Sequence, residues 1–502
     1  MRRLPRLHRR AGESSTTALP PSELTSAKRS ERRGVALILV LGSITILTVM
    51  LAEFQDDIAS ETTATSVDRD ALRAEYAARS AINLSRLLIA TEPTIRTAIG
   101  PLLGMLLGTG SAPQIPVWEF SDRILGAFND INGMAAFGSL SGVDPNMGKN
   151  LGMNGVRFEV NIIDEDSKIN VNVAAASKLM QQRLALQLTG LMQGQQYDAL
   201  FDQRDGDGQF SDRQSICSAI VDWADVDEDM FLCDPKSSTA SGSAPEDTYY
   251  QMLKVPYRRK NAPYDSLAEL HLVRGVSDDF YATFIDPDPD NPRKRNVTVW
   301  GQNGVNVNSA NAQTLYGLIC AYAVPDTKMC NDVETAAKFI TAVNLVRSFT
   351  SGAPLFPKPR TFVKALQGEG MVGSVLKDML QLDPVQFTSA SEFEKNITTK
   401  SERFSIYADG IVPSTKRETK VRIHAVVDFR GAPPPGYAPG TDPAASGSGA
   451  ANALPTSTAT ATPTNGNTQA LAPAGSAGMS ADAIAGALMP NAGGQIVYYR
   501  IE

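Results

Sequence analysis

The run Asp205-Gly206-Asp207-Gly208-Gln209-Phe210-Ser211-Asp212 sets carboxylates beside turn-forming glycines, with Phe210 available to anchor the loop. Alternating carboxylates of this kind suit a hard divalent cation, and calcium takes six to eight oxygen ligands. A second acidic group follows in Asp222, Asp225, Asp227, Glu228 and Asp229. Pooled, the two groups supply enough oxygens, so Asp205, Asp207, Asp212, Asp222, Asp225 and Asp227 are candidate ligands of a structural calcium ion. The full twelve-residue calcium loop is not present: Gln203 and Gln214 stand where an Asp and a bidentate Glu are expected. Spacing leaves open which acids ligate, and also the alternative of a solvated acidic loop without an ion.

The four cysteines fall in two close pairs, Cys217/Cys233 and Cys320/Cys330. In an oxidising compartment the even count and short spacings predict two local disulfides, with buried thiols as the alternative. There is no CxxC, and His8, His271 and His424 are scattered, so nothing suggests a zinc site. GxSxG, HExxH and P-loop motifs are missing from the sequence. Paired acids on a Gly-rich loop serve a metal more naturally than glycoside hydrolysis. Trp118, Trp223 and Trp300 read as core. The chain is not expected to be an enzyme.

The element placed before all of these is Arg32–Ala52. Two basic residues and Gly34 precede 18 uncharged residues, Val35 to Ala52, and Glu53 follows. Eighteen residues of helix reach about 27 Å, enough for the hydrocarbon core of a bilayer. Residues 1–34 hold nine Lys/Arg against three Glu, which keeps that end cytoplasmic. A secretory signal would be cut after its apolar run. Here the small residue beside the charge step, Gly34, lies before it. This arrangement resembles a type IV pilin-like leader, cut after Gly34 by a prepilin peptidase; an uncleaved anchor is the alternative. Of the net charge of −7, residues 1–34 carry +6, which leaves −13 on residues 35–502. That balance is a poor match for phosphate backbones.

No Gly or Pro interrupts Glu53 to Ala90, so the membrane helix is expected to continue to about residue 90. Val156–Val160 alternates as a strand, residues 175–201 are helical in pattern, and residues 264–286 read as two short helices around Gly275. Gly304–Ile319 repeats the earlier Ile169–Ala174 pattern and is again followed by a helix. Arg403–Ala408 and Lys420–Arg430 are strands by alternation and β-branched content. Gly431–Gly494 is rich in Ala, Gly, Pro, Ser and Thr and cannot bury enough apolar surface to order itself. Because Ile496–Ile501 reads as a strand, that stretch is expected to be a loop between paired strands.

Five pieces in order resemble the K-type minor pseudopilins of type II secretion systems. They are the Arg32–Val40 leader, Ile162–Ala174, Val221–Met230, Asn261–Val276 and Val297–Ala310. The resemblance runs from about residue 32 to 430 and fits the final strand. It implies an α+β fold with a long N-terminal hydrophobic pilin-like helix and an antiparallel-sheet α/β pseudopilin domain carrying an inserted all-helical domain. The expected units are a leader (1–34), the transmembrane helix (35–90) and the α/β domain in two parts (91–180 and 287–430). Between those parts lies the helical insert (181–286); a disordered loop (431–494) and a last strand (495–502) complete the chain.

The resemblance also implies a role. Pilin-like subunits generally carry Glu at the fifth mature position, where it neutralises a neighbour's N-terminal amine inside the bilayer. Counted from Val35, that position is Leu39. K-type subunits lack this Glu, which suits the tip of the filament, where no earlier neighbour needs it. Implied partners are the I-type and J-type minor pseudopilins, the major pseudopilin, the prepilin peptidase and the inner-membrane assembly platform. Methylation of Val35, calcium binding, and an inner-membrane anchor with the bulk of the chain in the periplasm are implied as well. The leader is long for this family, and Gly431–Gly494 also departs from its pattern. The rival reading is a membrane-anchored helix–hairpin–helix DNA receptor, with Arg258, Arg259, Lys260 and Arg274 as its basic patch.

Overall fold

The computed structural model describes residues 33–106, 112–129, 155–202, 204, 208, 210–234, 241–245, 247–350, 352–413, 418–432 and 493–502. The chain divides into two compact units between Val67 and Asp68. The leader up to residue 32 and the stretch 433–492 lie outside the described residues.

Helix α1 runs Arg33–Leu106. In the first unit it holds the apolar span, which is long enough to cross a membrane and has none of its surface buried. Within the second unit, Ala74, Ala77, Ala78, Ala81, Ile82, Ser85 and Ile89 are buried. They recur every three or four residues, so one stripe of the helix faces the core. The helix continues past residue 90 through Pro93 and Pro101, beyond the extent its sequence pattern suggested.

That stripe lies on a four-stranded antiparallel sheet of β1 (Arg157–Asp164), β2 (Arg403–Val412), β3 (Thr419–Asp428) and β4 (Gln495–Ile501), in that spatial order. Arg157 pairs with Ile411, Arg403 with Asp428, and Ile501 with Ile423. This register turns Phe158, Val160, Ile162, Phe404, Ile406, Ala408, Ile423, Ala425 and Val427 toward α1, where they form a core with Trp118 and Leu125. Ala side chains on the helix and Gly410 on β2 bring the two layers close. A Cβ on Gly410 would collide with the Ala74 backbone.

The chain between β1 and β2 builds a second core of its own. It runs from Ile169 to Ile397 and includes Leu184, Trp223, Phe284, Leu315 and Phe393. Its helices include α2 (Lys178–Leu191), α3 (Arg213–Ala224), α4 (Ala312–Tyr322) and α5 (Val333–Thr350). This core runs past residue 286, so most of residues 297–397 pack with the helical insert, while Trp300 also meets Tyr498 of β4 at 5.1 Å between ring centres.

The repeat read in the sequence is a repeat of structure. Ile169–Asn170 pairs in parallel with Val297–Thr298, and Val305–Asn306 pairs in parallel with Ile397–Thr398. Each Asn side chain then turns the chain by accepting from the amide two residues on: Asn170 from Asn172 at 3.0 Å, Asn306 from Asn308 at 3.0 Å. The second Asn of each pair holds a distant segment. Asn172 accepts from the Tyr264 amide and donates to the Tyr264 and Val299 carbonyls. Asn308 accepts from the Leu355 and Phe356 amides. A helix follows each repeat, α2 after the first and α4 after the second.

Candidate functional site: the acidic centre of the inserted segment

Asp222, Asp225 and Asp227 gather around the C-terminal end of α3. Asp212 caps the other end, accepting from the Ser215 amide at 2.8 Å. Asp222, in the last turn, accepts from the Phe231 amide at 2.8 Å and so ties α3 to the short strand Asp229–Phe231. Asp225 follows the helix and accepts from Gln181 Nε2 of α2 at 3.2 Å. Asp227 makes a local turn with the Asp229 amide at 3.0 Å. Cys217 and Cys233 form a disulfide that closes the loop bearing Asp222, Asp225 and Asp227. A second disulfide joins Cys320 to Cys330.

Arg259 is buried at the centre. It donates to the main-chain carbonyls of Asp222 and Asp227, and its guanidinium lies 3.7 Å from Asp225 Oδ1 and 3.3 Å from Asp247 Oδ1. Burial pushes the Asp222 carboxyl up to about 8, with Asp225 and Asp227 adding repulsion, while the Phe231 amide and Arg259 pull the other way. Burial and the Asp227 charge raise Asp225 to about 7. The same burial lowers Arg259. Two carboxylates are thus held where their charge is poorly compensated, which is the environment a cation relieves.

The fit to calcium is partial. Asp225 Oδ1 is buried and accepts no hydrogen bond, and hard carboxylate oxygens are the donors calcium prefers. Asp205 and Asp207 lie outside the described residues. Among the described residues, no three His, Cys, Asp or Glu side chains stand close enough together to hold a metal.

Three of the four residues of the rival reading's basic patch are engaged within the protein, while Arg258 is exposed. Arg259 is buried among carboxylates. Lys260 pairs with Asp265 and Glu269 at 2.6 and 3.1 Å. Arg274 donates to Ser211 Oγ and lies over the Tyr249 ring. Gly275 takes a left-handed conformation, φ +76°, against the side chains of Ile216 and Ser211, so the hairpin glycine serves packing in the core.

A buried network within the Ile162–Ala174 piece, whose acids the sequence reading gave no role, sits where β1 enters the insert. Asp164 accepts from the hydroxyls of Ser309 and Ser401. Asp166 accepts from the amides of Gln302, Glu402 and Arg403 at 2.8, 2.7 and 3.0 Å. Glu165 pairs with the buried Lys168 at 3.1 Å. Burial raises both Asp164 and Asp166. Burial also pushes on Glu165, but Lys168 and neighbouring hydroxyls outweigh it and hold that carboxyl below its usual range. The signal was present in Asp164–Asn172, a dense polar run directly after an apolar strand.

Residues 167–285 match the family model for protein K of the type II secretion system. The chain resembles the K-type minor pseudopilins. This segment contains the first Asn repeat, the acidic centre and Gly275, so the match falls on the residues that build the insert. Among solved structures, the complex of GspK, GspI and GspJ from the type 2 secretion system of enterotoxigenic Escherichia coli is similar to the chain. The likeness covers 55% of this chain and 76% of that one, at 12% identity and a TM-score of 0.33. The comparison with curated proteins finds no match. Val35 and Leu39, the positions of the K-type processing and tip readings, are exposed on the first turns of α1, and Gly34 lies within that helix.

Proposed function

We propose that the chain is a minor pseudopilin that takes the tip position of the type II pseudopilus and initiates or limits filament growth during export across the outer membrane. The observation that carries this reading is the K-type segment, residues 167–285, inserted in a chain whose first helix bears an exposed apolar span with Leu39 in place of an acid. A subunit without an intramembrane carboxylate offers nothing to the amine of an earlier neighbour, and an unpaired charge in the bilayer is costly.

Before assembly the protein sits in the inner membrane as a single-pass anchor, with the bulk of the chain in the periplasm. The prepilin peptidase cuts after Gly34 and methylates the amine of Val35. The I-type and J-type minor pseudopilins join it at the tip, with the major pseudopilin below and the assembly platform in the membrane. It is an assembly part, with neither a catalytic centre nor a nucleic-acid ligand. Calcium is proposed as a structural ion of the acidic centre, held by a subset of Asp205, Asp207, Asp222, Asp225 and Asp227; Asp212, expected in the same set, is instead the N-cap at the far end of the 12-residue α3. When bound it supplies positive charge to carboxylates that the fold has buried.

Removing the protein from its secreting cell tests the role. Loss of pseudopili, or pseudopili of altered length, is the expected result; filaments of normal number and length would contradict it. Calcium should raise the thermal midpoint of the purified protein, and an unchanged midpoint would remove the ion from the account.

A further inference from the structure

The two edges of the sheet are finished differently. On β1, Asn129 closes the edge: its side-chain Nδ2 donates to the Phe158 carbonyl at 2.6 Å and its Oδ1 accepts from the Phe158 amide at 2.9 Å. One side chain thus stands where a neighbouring strand's peptide group would be. Charged Arg157 and Glu159 are exposed on the same strand. Edges blunted in this way resist pairing with another chain.

The other edge, β4, has no Lys or Pro in Gln495–Ile501, and its one charged residue, Arg500, stands opposite His424 on the face turned away from α1. The Glu502 amide donates to the Arg422 carbonyl at 2.8 Å, and the Arg422 amide donates back at 3.3 Å. Backbone groups alternate in direction along a strand. Arg500 and Tyr498 therefore face β3 as Glu502 does, while Tyr499 and Ile501 turn their N–H and C=O groups outward. The side chains of those two residues stand opposite Ala425 and Ile423, on the face that packs against α1. Ala425 and Ile423 are fully buried, whereas Tyr499 and Ile501 are 42% and 46% exposed. The apolar face of the sheet thus continues past the cover of the helix, and among the described residues nothing pairs with the outward peptide groups of Tyr499 and Ile501.

We propose that the outer edge of β4 receives an extended segment of a neighbouring pseudopilin subunit, which adds a fifth strand and covers Tyr499 and Ile501. The chemistry of the edge selects the occupant: unpaired amides and carbonyls are satisfied by another extended backbone, and alternating apolar residues fill the shelf beside them. The inference rests on the tip reading, in which one copy per filament leaves no second copy of this chain to supply the strand.

The test compares the full chain in detergent, alone and with the I-type and J-type subunits, by amide hydrogen exchange resolved to single residues. Tyr499 and Ile501 should exchange fast in the free chain and at least tenfold more slowly in the complex, while Tyr498 and Arg500 stay protected in both. Tyr499→Pro and Ile501→Pro remove an outward N–H without breaking a bond to β3, and each should weaken the complex about tenfold. A complex that forms with the exchange of Tyr499 and Ile501 unchanged would overturn the strand and leave the partner reading standing. Failure of the unaltered chain to bind either subunit would overturn both. Protection already present in the free monomer would assign the edge to this chain's own residues, and protection in a homodimer would assign it to a second copy; either result overturns the proposal.

Discussion

Gly190 of α2 and Gly317 of α4 lie against one another where the helices that follow the two Asn repeats cross. A Cβ on Gly190 would strike the Gly317 carbonyl and approach Ala321 Cβ to 2.8 Å. One on Gly317 would sit 2.7 Å from Leu191 Cα. The obstacles are backbone, so the helices must separate to admit any side chain. Gly190→Val and Gly317→Val should each destabilise the protein by about 1–3 kcal/mol, the usual range for overpacking. A fall in the urea midpoint checks this, and unchanged midpoints would show that the two helices part at no cost.

The Cys217–Cys233 disulfide closes a loop of 16 residues that carries three acids of the candidate site. A loop of that length is stabilised by about 3 kcal/mol on the chain-entropy account. Cys217→Ser combined with Cys233→Ser should lower stability by about that amount, and reductant, which opens Cys320–Cys330 as well, should lower that of the unaltered protein by at least as much. Equal melting with and without reductant would contradict it.

Arg259 holds the acidic centre together through two main-chain carbonyls and the charges of Asp225 and Asp247. Removing one partner of a buried ion pair strands the others, typically at about 3–5 kcal/mol. Arg259→Met should therefore destabilise more than Lys260→Met, whose pairs lie nearer solvent. Chemical unfolding of both variants decides; equal effects would show that the buried charge matters little.

Asp164 and Asp166 give the stability a pH dependence of known sign. Burial raises both carboxyls in the folded protein, so the folded chain binds protons more tightly than the unfolded one. Their contribution is intact below the ordinary carboxyl value of about 4 and is lost as the pH rises above it. Asp164→Asn should flatten that part of the profile of unfolding free energy against pH. A variant profile parallel to that of the unaltered protein would refute the assignment.

Parts of this architecture are legible in the residues alone. The uncharged run Val35–Ala52 can only be a helix at that length, and the alternation in Arg403–Ala408 and Lys420–Arg430 gives two strands of the sheet. The matching Asn repeats announce two related turns. The extent of α1 is less legible, because Pro93 and Pro101 lie inside the helix although prolines usually mark an end. The reach of the second core is hidden as well. Leu315 and Phe393 join Leu184 in one core from 131 and 209 residues further along the chain, and no local periodicity reports that. At the acidic centre, spacing pointed to Asp222 and Asp225 but not to the guanidinium between their segments, since Arg259 lies 34 residues beyond Asp225 in a run that read as a basic patch.

The most direct test of the pseudopilin account is the N-terminal residue and its mass in protein purified from the membranes of its secreting cell. The account predicts a chain that begins at Val35 with a methylated amine. A chain that begins at Met1, in cells whose prepilin peptidase is active, would contradict it and make this an ordinary anchored protein.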